Sequence, residues 1–162
     1  MAHDDGQGYW VILASFAIAY VLAVLPLPQW LLLGRPEWVA LVLIYWCIAL
    51  PQRVGIVTGL VLGLGLDVLE GAVIGQNVLA LVMVALLSLM LYQRLRVYSL
   101  WQQSAVVFVL VGVSQVICQW VQSLEGIGAP NMSFLLSALT SALLWPFILH
   151  LLRETRRSFR VT

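Results

Sequence analysis

Two carboxylates stand out in a very apolar chain. Asp67 and Glu70 lie three residues apart in the segment GLGLDVLEGAVIG, residues 63–75. Residues three apart share one face of a helix, so the two acids have the spacing of a general acid–base pair. No nucleophile and no third charged group accompanies them in the sequence. A structural role is therefore favoured for Asp67, as a cap or in an ion pair within the chain, and contact with lipid headgroups is favoured for Glu70.

The chain carries no sequence motif of a known catalytic or metal-binding class. It contains no Walker loop, no HExxH and no GxSxG sequence. Its two histidines, two cysteines and seven acids do not occur at the spacing of metal ligands. We therefore expect no enzymatic activity, no cofactor and no bound metal.

A second polar set is formed by three glutamines in a late apolar stretch. Gln115, Gln119 and Gln122 fall on one face of a helix. Side-chain amides within lipid need hydrogen-bond partners, so this face should point into the protein or at a partner helix. Hydrogen bonding between helices of the chain is the favoured interpretation. A ligand cavity of the kind found in transporters and a contact with a partner protein remain as alternatives.

The element that would position Asp67 has an unusual repeat. Small residues and one acid recur every four positions: Gly55, Gly59, Gly63, Asp67, Gly71 and Gly75. The GxxxGxxxG part is a known close-packing face of membrane helices, because glycine lets two backbones approach. The stripe packs either within this chain, which is favoured, or against another protein's helix. The last two glycines are expected beyond the helix end, in a turn that needs glycine's backbone freedom.

Composition shows what kind of chain carries these features. Of the 162 residues, 62% are hydrophobic and only 9% are charged, against about 25% charged in soluble domains. So few charges could not cover a surface in water, and the chain is predicted to be an integral membrane protein. No basic run with interleaved aromatic residues occurs, so nucleic acid binding has no support.

Six apolar stretches are predicted to span the membrane as helices, which makes the fold class an all-α polytopic membrane protein. Residues 1–8 would form a short cytoplasmic N-terminus, 9–152 the six-helix transmembrane domain, and 153–162 a basic cytoplasmic tail. The predicted spans run over Tyr9–Leu25, Trp38–Leu50, Val54–Leu69, Ile74–Tyr92, Trp101–Val121 and Phe134–Leu152.

The arginines predict the orientation of the spans. All eight basic residues are arginines, and six spans place seven of them on one side. Cytoplasmic loops carry the excess of basic residues, so both termini are predicted to be cytoplasmic. Arg35 is the one arginine on the outer side, where Asp67 also lies, so a contact between the two is the alternative to a cap for Asp67.

The motifs together resemble the MreD family of rod shape-determining membrane proteins. The similar segments are RPEW (35–38), YWCIALPQRVGIVTGLVLGLGLDVLEG (45–71), LWQQ (100–103) and LLWPFI (143–148), so the resemblance covers nearly the whole chain. The family's characteristic positions correspond here to Arg35, Pro36, Asp67, Gly71 and Gly75.

The resemblance implies a role in the machinery that builds the lateral cell wall. It implies membership of the rod complex and direct association with the bitopic protein MreC. MreB, RodZ, RodA and penicillin-binding protein 2 would work alongside, and no enzymatic activity is ascribed to the family. The implied fold is similar to the six-helix substrate-binding subunits of energy-coupling-factor transporters. That similarity keeps an alternative open, a binder of a small molecule or a lipid-linked precursor.

Overall fold

A computed structural model describes residues 4–25, 28, 36–71, 74–126 and 133–158. It confirms an all-α chain with a helix at each of the six predicted spans. The helices are α1 (Asp4–Val24), α2 (Trp38–Ala49), α3 (Ile56–Glu70), α4 (Gln76–Val97), α5 (Leu100–Leu124) and α6 (Ser133–Ser158). Three of them, over Gln76–Val97, Leu100–Leu124 and Leu135–Ser158, are long and apolar enough to cross a membrane alone.

The helices alternate in direction, so each end of the bundle collects alternate connections. One end, called the arginine end, carries all the described arginines: Arg53, Arg94, Arg96, Arg153, Arg156 and Arg157. The opposite end, called the acidic end, carries Glu37, Asp67 and Glu70. The last helix continues through part of the predicted tail to Ser158, where arginines in its final turn suit the negative end of the helix dipole.

The short helix α2 is the centre of the bundle. It packs against α1, α4, α5 and α6, and every residue from Val39 to Ala49 is buried. Its 12 residues extend over about 18 Å, well short of a hydrocarbon core of about 30 Å. Other helices cover most of α2, so it does not need to span the membrane by itself.

Side chains from other helices satisfy both ends of α2. At the acidic end, the backbone N–H of Glu37 donates to the hydroxyl of Ser141, 3.0 Å away on α6. At the arginine end, Arg96 of α4 donates through Nε to the Ile48 carbonyl at 3.0 Å and through its terminal nitrogen to the Ala49 carbonyl at 3.2 Å. Helix ends leave backbone groups without intrahelical partners, and these bonds satisfy three of them inside the bundle.

The side chain of Gln103 satisfies backbone carbonyl groups at the end of α4 in the same way. This buried side chain of α5 donates to the carbonyls of Leu95 at 2.8 Å and Tyr98 at 3.3 Å. Its carbonyl oxygen accepts a hydrogen bond from the indole nitrogen of Trp145 on α6, at 3.3 Å. One amide therefore joins the end of α4 to both later helices.

Replacing Gln103 should lower stability more than replacing its neighbour. Gln103→Ala leaves two carbonyls and one indole N–H without this partner, so we expect a loss of about 2 kcal/mol in the free energy of unfolding. Gln102→Ala is the matched control, because Gln102 is exposed and accepts one bond, from the Ser99 N–H. Unfolding in mixed detergent–SDS micelles, followed by tryptophan fluorescence, measures the difference. Equal stability of the two variants would contradict the assignment.

Candidate functional site

The glycine stripe faces α4 of the same chain. A methyl group added at Gly59 would lie 3.0 Å from the Leu81 carbonyl oxygen, and one added at Gly55 would lie 3.4 Å from the Leu89 side chain. At Gly63 the added methyl would overlap the backbone of Val78, whose nitrogen is only 2.6 Å from it. The three glycines thus let α3 and α4 approach at backbone distance, and this packing favours the intrachain alternative over a face for another protein's helix.

The two later glycines form the turn that joins α3 to α4, as the sequence predicted. Gly71 ends α3 with φ +63° and Gly75 precedes α4 with φ +100°. Both are left-handed conformations, which glycine adopts without the steric penalty of a Cβ atom. The repeat therefore has two roles, close packing along α3 and reversal of the chain after it.

The side chain of Asp67 stabilises this turn by accepting hydrogen bonds from backbone N–H groups. The side chain is only 2% exposed. Its Oδ2 accepts from the Gly75 N–H at 2.8 Å, and its Oδ1 accepts from the Asn77 N–H at 2.9 Å. These are two of the first backbone donors of α4, and a carboxylate at a helix N-terminus also interacts favourably with the helix dipole. Asp67 is thus a cap, as favoured from sequence, but for the following helix rather than its own.

Glu70 also turns towards α4. Its Oε2 accepts a hydrogen bond from the side-chain amide of Asn77 at 3.2 Å. The carboxylate is exposed on its other side, so this bond does not prevent contact with lipid headgroups. Arg35 lies outside the described residues, so the alternative of an Asp67–Arg35 contact stays a prediction. Pro36 is half-buried directly before Glu37.

The glutamine face meets the acidic end of the bundle. The Gln115 side-chain amide donates a hydrogen bond to the Glu37 carboxylate. Cys118 lies one turn further on α5, and its thiol donates to the side-chain oxygen Oδ1 of Asn77, 3.9 Å from the sulfur. Gln119 and Gln122 are half-buried beyond it.

One of the three predicted glutamines, Gln115, therefore lies at the same end of the bundle as Asp67 and Glu70. We call the group the polar cluster: Glu37, Asp67, Glu70, Gln76, Asn77, Gln115 and Cys118. Within it the Cys118 thiol lies close to the Gln76 amide and within electrostatic reach of all three carboxylates. Sequence reasoning missed Gln76 and Asn77, although two side-chain amides directly after Gly75, at the start of a predicted span, were a signal that could have found them.

The chemistry that the polar cluster supports is structural. Both Asp67 oxygens accept backbone N–H groups, so this carboxylate is committed to holding the turn. Among the described residues, no group of three or more histidine, cysteine or acidic side chains is placed to hold a metal ion. The cluster instead joins α3, α4 and α5 to the segment that leads into α2.

A separate feature lies on the lateral surface. An apolar groove of about 900 Å³ runs between α1 and α6, with α2 at its back. It extends from Trp10 and Thr155 near the arginine end to Leu22 and Trp38 near the acidic end. We call it the α1–α6 groove. Sequence reasoning did not find it, because it arises from helix placement rather than from a motif.

A buried polar network at one end, apolar outward faces and three membrane-length helices define a polytopic helical membrane protein. Comparison with known protein families identifies the family of membrane proteins to which the chain belongs. The family model for rod shape-determining protein MreD matches residues 5–155, from the start of α1 into the last turns of α6. The chain belongs to the MreD family.

A curated relative agrees with the family assignment. The chain is 33% identical over 153 residues to the rod shape-determining protein MreD of Haemophilus influenzae, with 94% of each chain covered. The family assignment gives this protein a role in determining rod shape. No solved structure matches the chain, so the similarity to energy-coupling-factor subunits stays a prediction.

Proposed function

We propose that this protein is a non-enzymatic component of the rod complex that binds MreC and helps to organise lateral peptidoglycan synthesis. MreB, RodZ, RodA and penicillin-binding protein 2 complete the proposed assembly. The observation that carries the proposal is the family match over residues 5–155, which includes the described core of the bundle.

The proposed location is the bacterial inner membrane with both termini in the cytoplasm. The six described arginines gather at one end of the bundle, where α1 begins and α6 finishes. Short cytoplasmic loops are enriched in basic residues, which supports placing the arginine end in the cytoplasm.

The polar cluster supports a scaffold over a ligand-binding role. A small-molecule site presents polar groups to a cavity. Here Gln115 is bonded to Glu37, and Asp67 is bonded to the α4 backbone. The α1–α6 groove is apolar and is formed by other helices.

Co-purification in mild detergent tests the proposal. We expect this protein to recover MreC of the same organism at a fixed ratio. The matched control is an MreC chimera whose membrane helix is replaced by an unrelated single span. Recovery of MreC no greater than background would contradict direct binding. Equal recovery of the chimera would place the contact outside MreC's membrane helix.

The glycine stripe is a poor site for probing partner contact. Gly59 lies against the Leu81 carbonyl of α4, so a larger residue there would disturb the hairpin before it affected any partner. Outward-facing positions such as Val57 and Val68 on α3 are better suited, because they are exposed in the isolated chain. Tryptophan at each of them, with recovery of MreC as the readout, identifies the contacted face.

A further inference from the structure

The α1–α6 groove has the form of a lipid site. Its walls are the side chains of two helices that each pack on α2, and α2 closes it from behind. The lining from Trp10 to Leu22 covers about 18 Å along α1, a little over half the thickness of a hydrocarbon core. A volume of about 900 Å³ is at the upper end for ligand sites. The groove is thus large enough for an acyl chain along one leaflet.

The groove offers few polar groups to a ligand along its length. Ser15 and Thr155 carry the only hydroxyl groups among the described residues that line it. The Ser15 hydroxyl donates to the Ile12 carbonyl and accepts from the Trp46 indole, and the Thr155 hydroxyl donates to the Leu151 carbonyl. With these hydroxyl groups already bonded, the other polar groups of the described lining are the indole N–H groups of Trp10 and Trp38, one near each end of the groove. The lining between the two ends is apolar and favours a hydrocarbon chain over a polar solute.

The same lining favours an acyl chain over a partner helix. Membrane helices pair through small residues and interhelical hydrogen bonds. The α1 wall includes the small residues Ala14, Ser15 and Ala19. The α6 wall opposite presents large side chains, among them Phe147, Ile148 and Leu151. A flexible chain can fill the space between such side chains, whereas a helix would need them to move aside.

None of the described lining residues is charged, but arginines lie close in the chain or in space to the residues next to the lining at the arginine end. On the α1 side, the Arg53 guanidinium is 5.1 Å from the ring centroid of Tyr9, which directly precedes Trp10. On the α6 side, Arg156 is within hydrogen-bonding reach of the Tyr45 hydroxyl, and Arg153 is close enough to act on it electrostatically. The nearby Glu154 carboxylate faces His150 at 3.2 Å. Positive charge on both sides of an apolar groove matches a phosphate headgroup above an acyl chain.

We propose that the α1–α6 groove binds an anionic phospholipid, with an acyl chain along the groove and the phosphate beside Arg53 and Arg156. The proposal goes beyond the proposed function and does not depend on MreC. The bound lipid fills the space between α1 and α6 and so completes the lateral surface of the bundle. It also couples the protein to the charge of the surrounding leaflet.

Counting retained lipids tests this site. The protein is reconstituted with equal amounts of phosphatidylglycerol and phosphatidylcholine, extracted in mild detergent and examined by native mass spectrometry. We expect wild type to retain one phosphatidylglycerol in preference to phosphatidylcholine. Each of Arg53→Gln and Arg156→Gln should lower that preference about fivefold, which corresponds to about 1 kcal/mol per arginine. Arg94→Gln, an exposed arginine of α4 at the same end, should leave it unchanged.

Groove-blocking variants separate this site from general lipid contact. Ala14→Trp and Leu151→Trp fill the groove from its two walls and should abolish retention. Ala17→Trp and Leu143→Trp are the controls, because both positions are exposed on the same helices but do not line the groove. Equal helicity and midpoint temperature of all four confirm that they fold.

Retention of phosphatidylglycerol by the blocked variants, or equal retention of phosphatidylcholine by wild type, would overturn the proposal. Loss of MreC recovery with unchanged lipid retention in the blocked variants would assign the groove to a protein helix instead.

Discussion

Gly63→Ala lowers the free energy of unfolding by about 3 kcal/mol, the upper part of the range for overpacking a close contact. The added methyl group meets backbone atoms of Asn77 and Val78 rather than the end of a flexible side chain. Relief therefore requires α3 and α4 to move apart, which disturbs every other close contact along the stripe. We expect less folded protein in the membrane and a lower midpoint temperature in detergent.

The control for this variant lies in another membrane helix. Gly112 is in the interior of α5, and a methyl group added there meets no atom within 4 Å. Alanine is favoured over glycine in a helix interior by up to about 1 kcal/mol, so Gly112→Ala should leave stability unchanged or raise it. A Gly63→Ala protein as stable as Gly112→Ala would show that α3 and α4 do not approach at backbone distance.

The second large effect is expected at Asp67. Asp67→Ala leaves the N–H groups of Gly75 and Asn77 without their acceptor near the buried start of α4. Unsatisfied buried donors cost about 1–3 kcal/mol each, so we expect a loss of about 3 kcal/mol in the free energy of unfolding. Asp67→Asn retains one acceptor oxygen and should fall between Asp67→Ala and wild type. Unfolding in mixed micelles gives the order of the three proteins.

Glu70→Gln provides the comparison for Asp67. Its amide oxygen can still accept from the Asn77 side chain, and the position is exposed, so the change should stay within about 0.5 kcal/mol. MreC recovery should fall for Asp67→Ala in proportion to the loss of folded protein. An Asp67→Ala protein with wild-type stability would contradict the capping role. If that stable variant also lost MreC, Asp67 would instead belong to the contact with the partner.

The parts of the site that sequence could predict are those governed by local rules. The spacing of Gly55, Gly59 and Gly63 predicts a close-packing face because glycine has the same effect in any membrane helix. The positions of Gly71 and Gly75 predict a turn because a left-handed backbone favours glycine wherever it occurs. The six spans follow from apolar length, although α6 runs six residues past its predicted end as a helix.

The remaining parts depend on which helices become neighbours. Gln115 and Glu37 are 78 residues apart in the chain, and no periodicity within either segment brings them together. The same is true of Gln103 and Trp145, which are 42 apart. Apolar periodicity shows that a helix has a buried face but not which partner covers it, so the polar cluster and the α1–α6 groove required the tertiary arrangement.

The short central helix α2 has a consequence for biogenesis. A helix of 12 residues that entered lipid alone would expose terminal backbone groups to hydrocarbon, at several kcal/mol for each group. The side chains that satisfy these groups, Arg96 and Ser141, belong to helices that leave the ribosome after α2. We therefore expect α2 to dock late, once α4 and α6 have inserted. A nascent chain that stops after α5 would lack α6, so its most apolar helix, α2, would be only partly enclosed. Membrane quality control would encounter this state before the finished bundle forms.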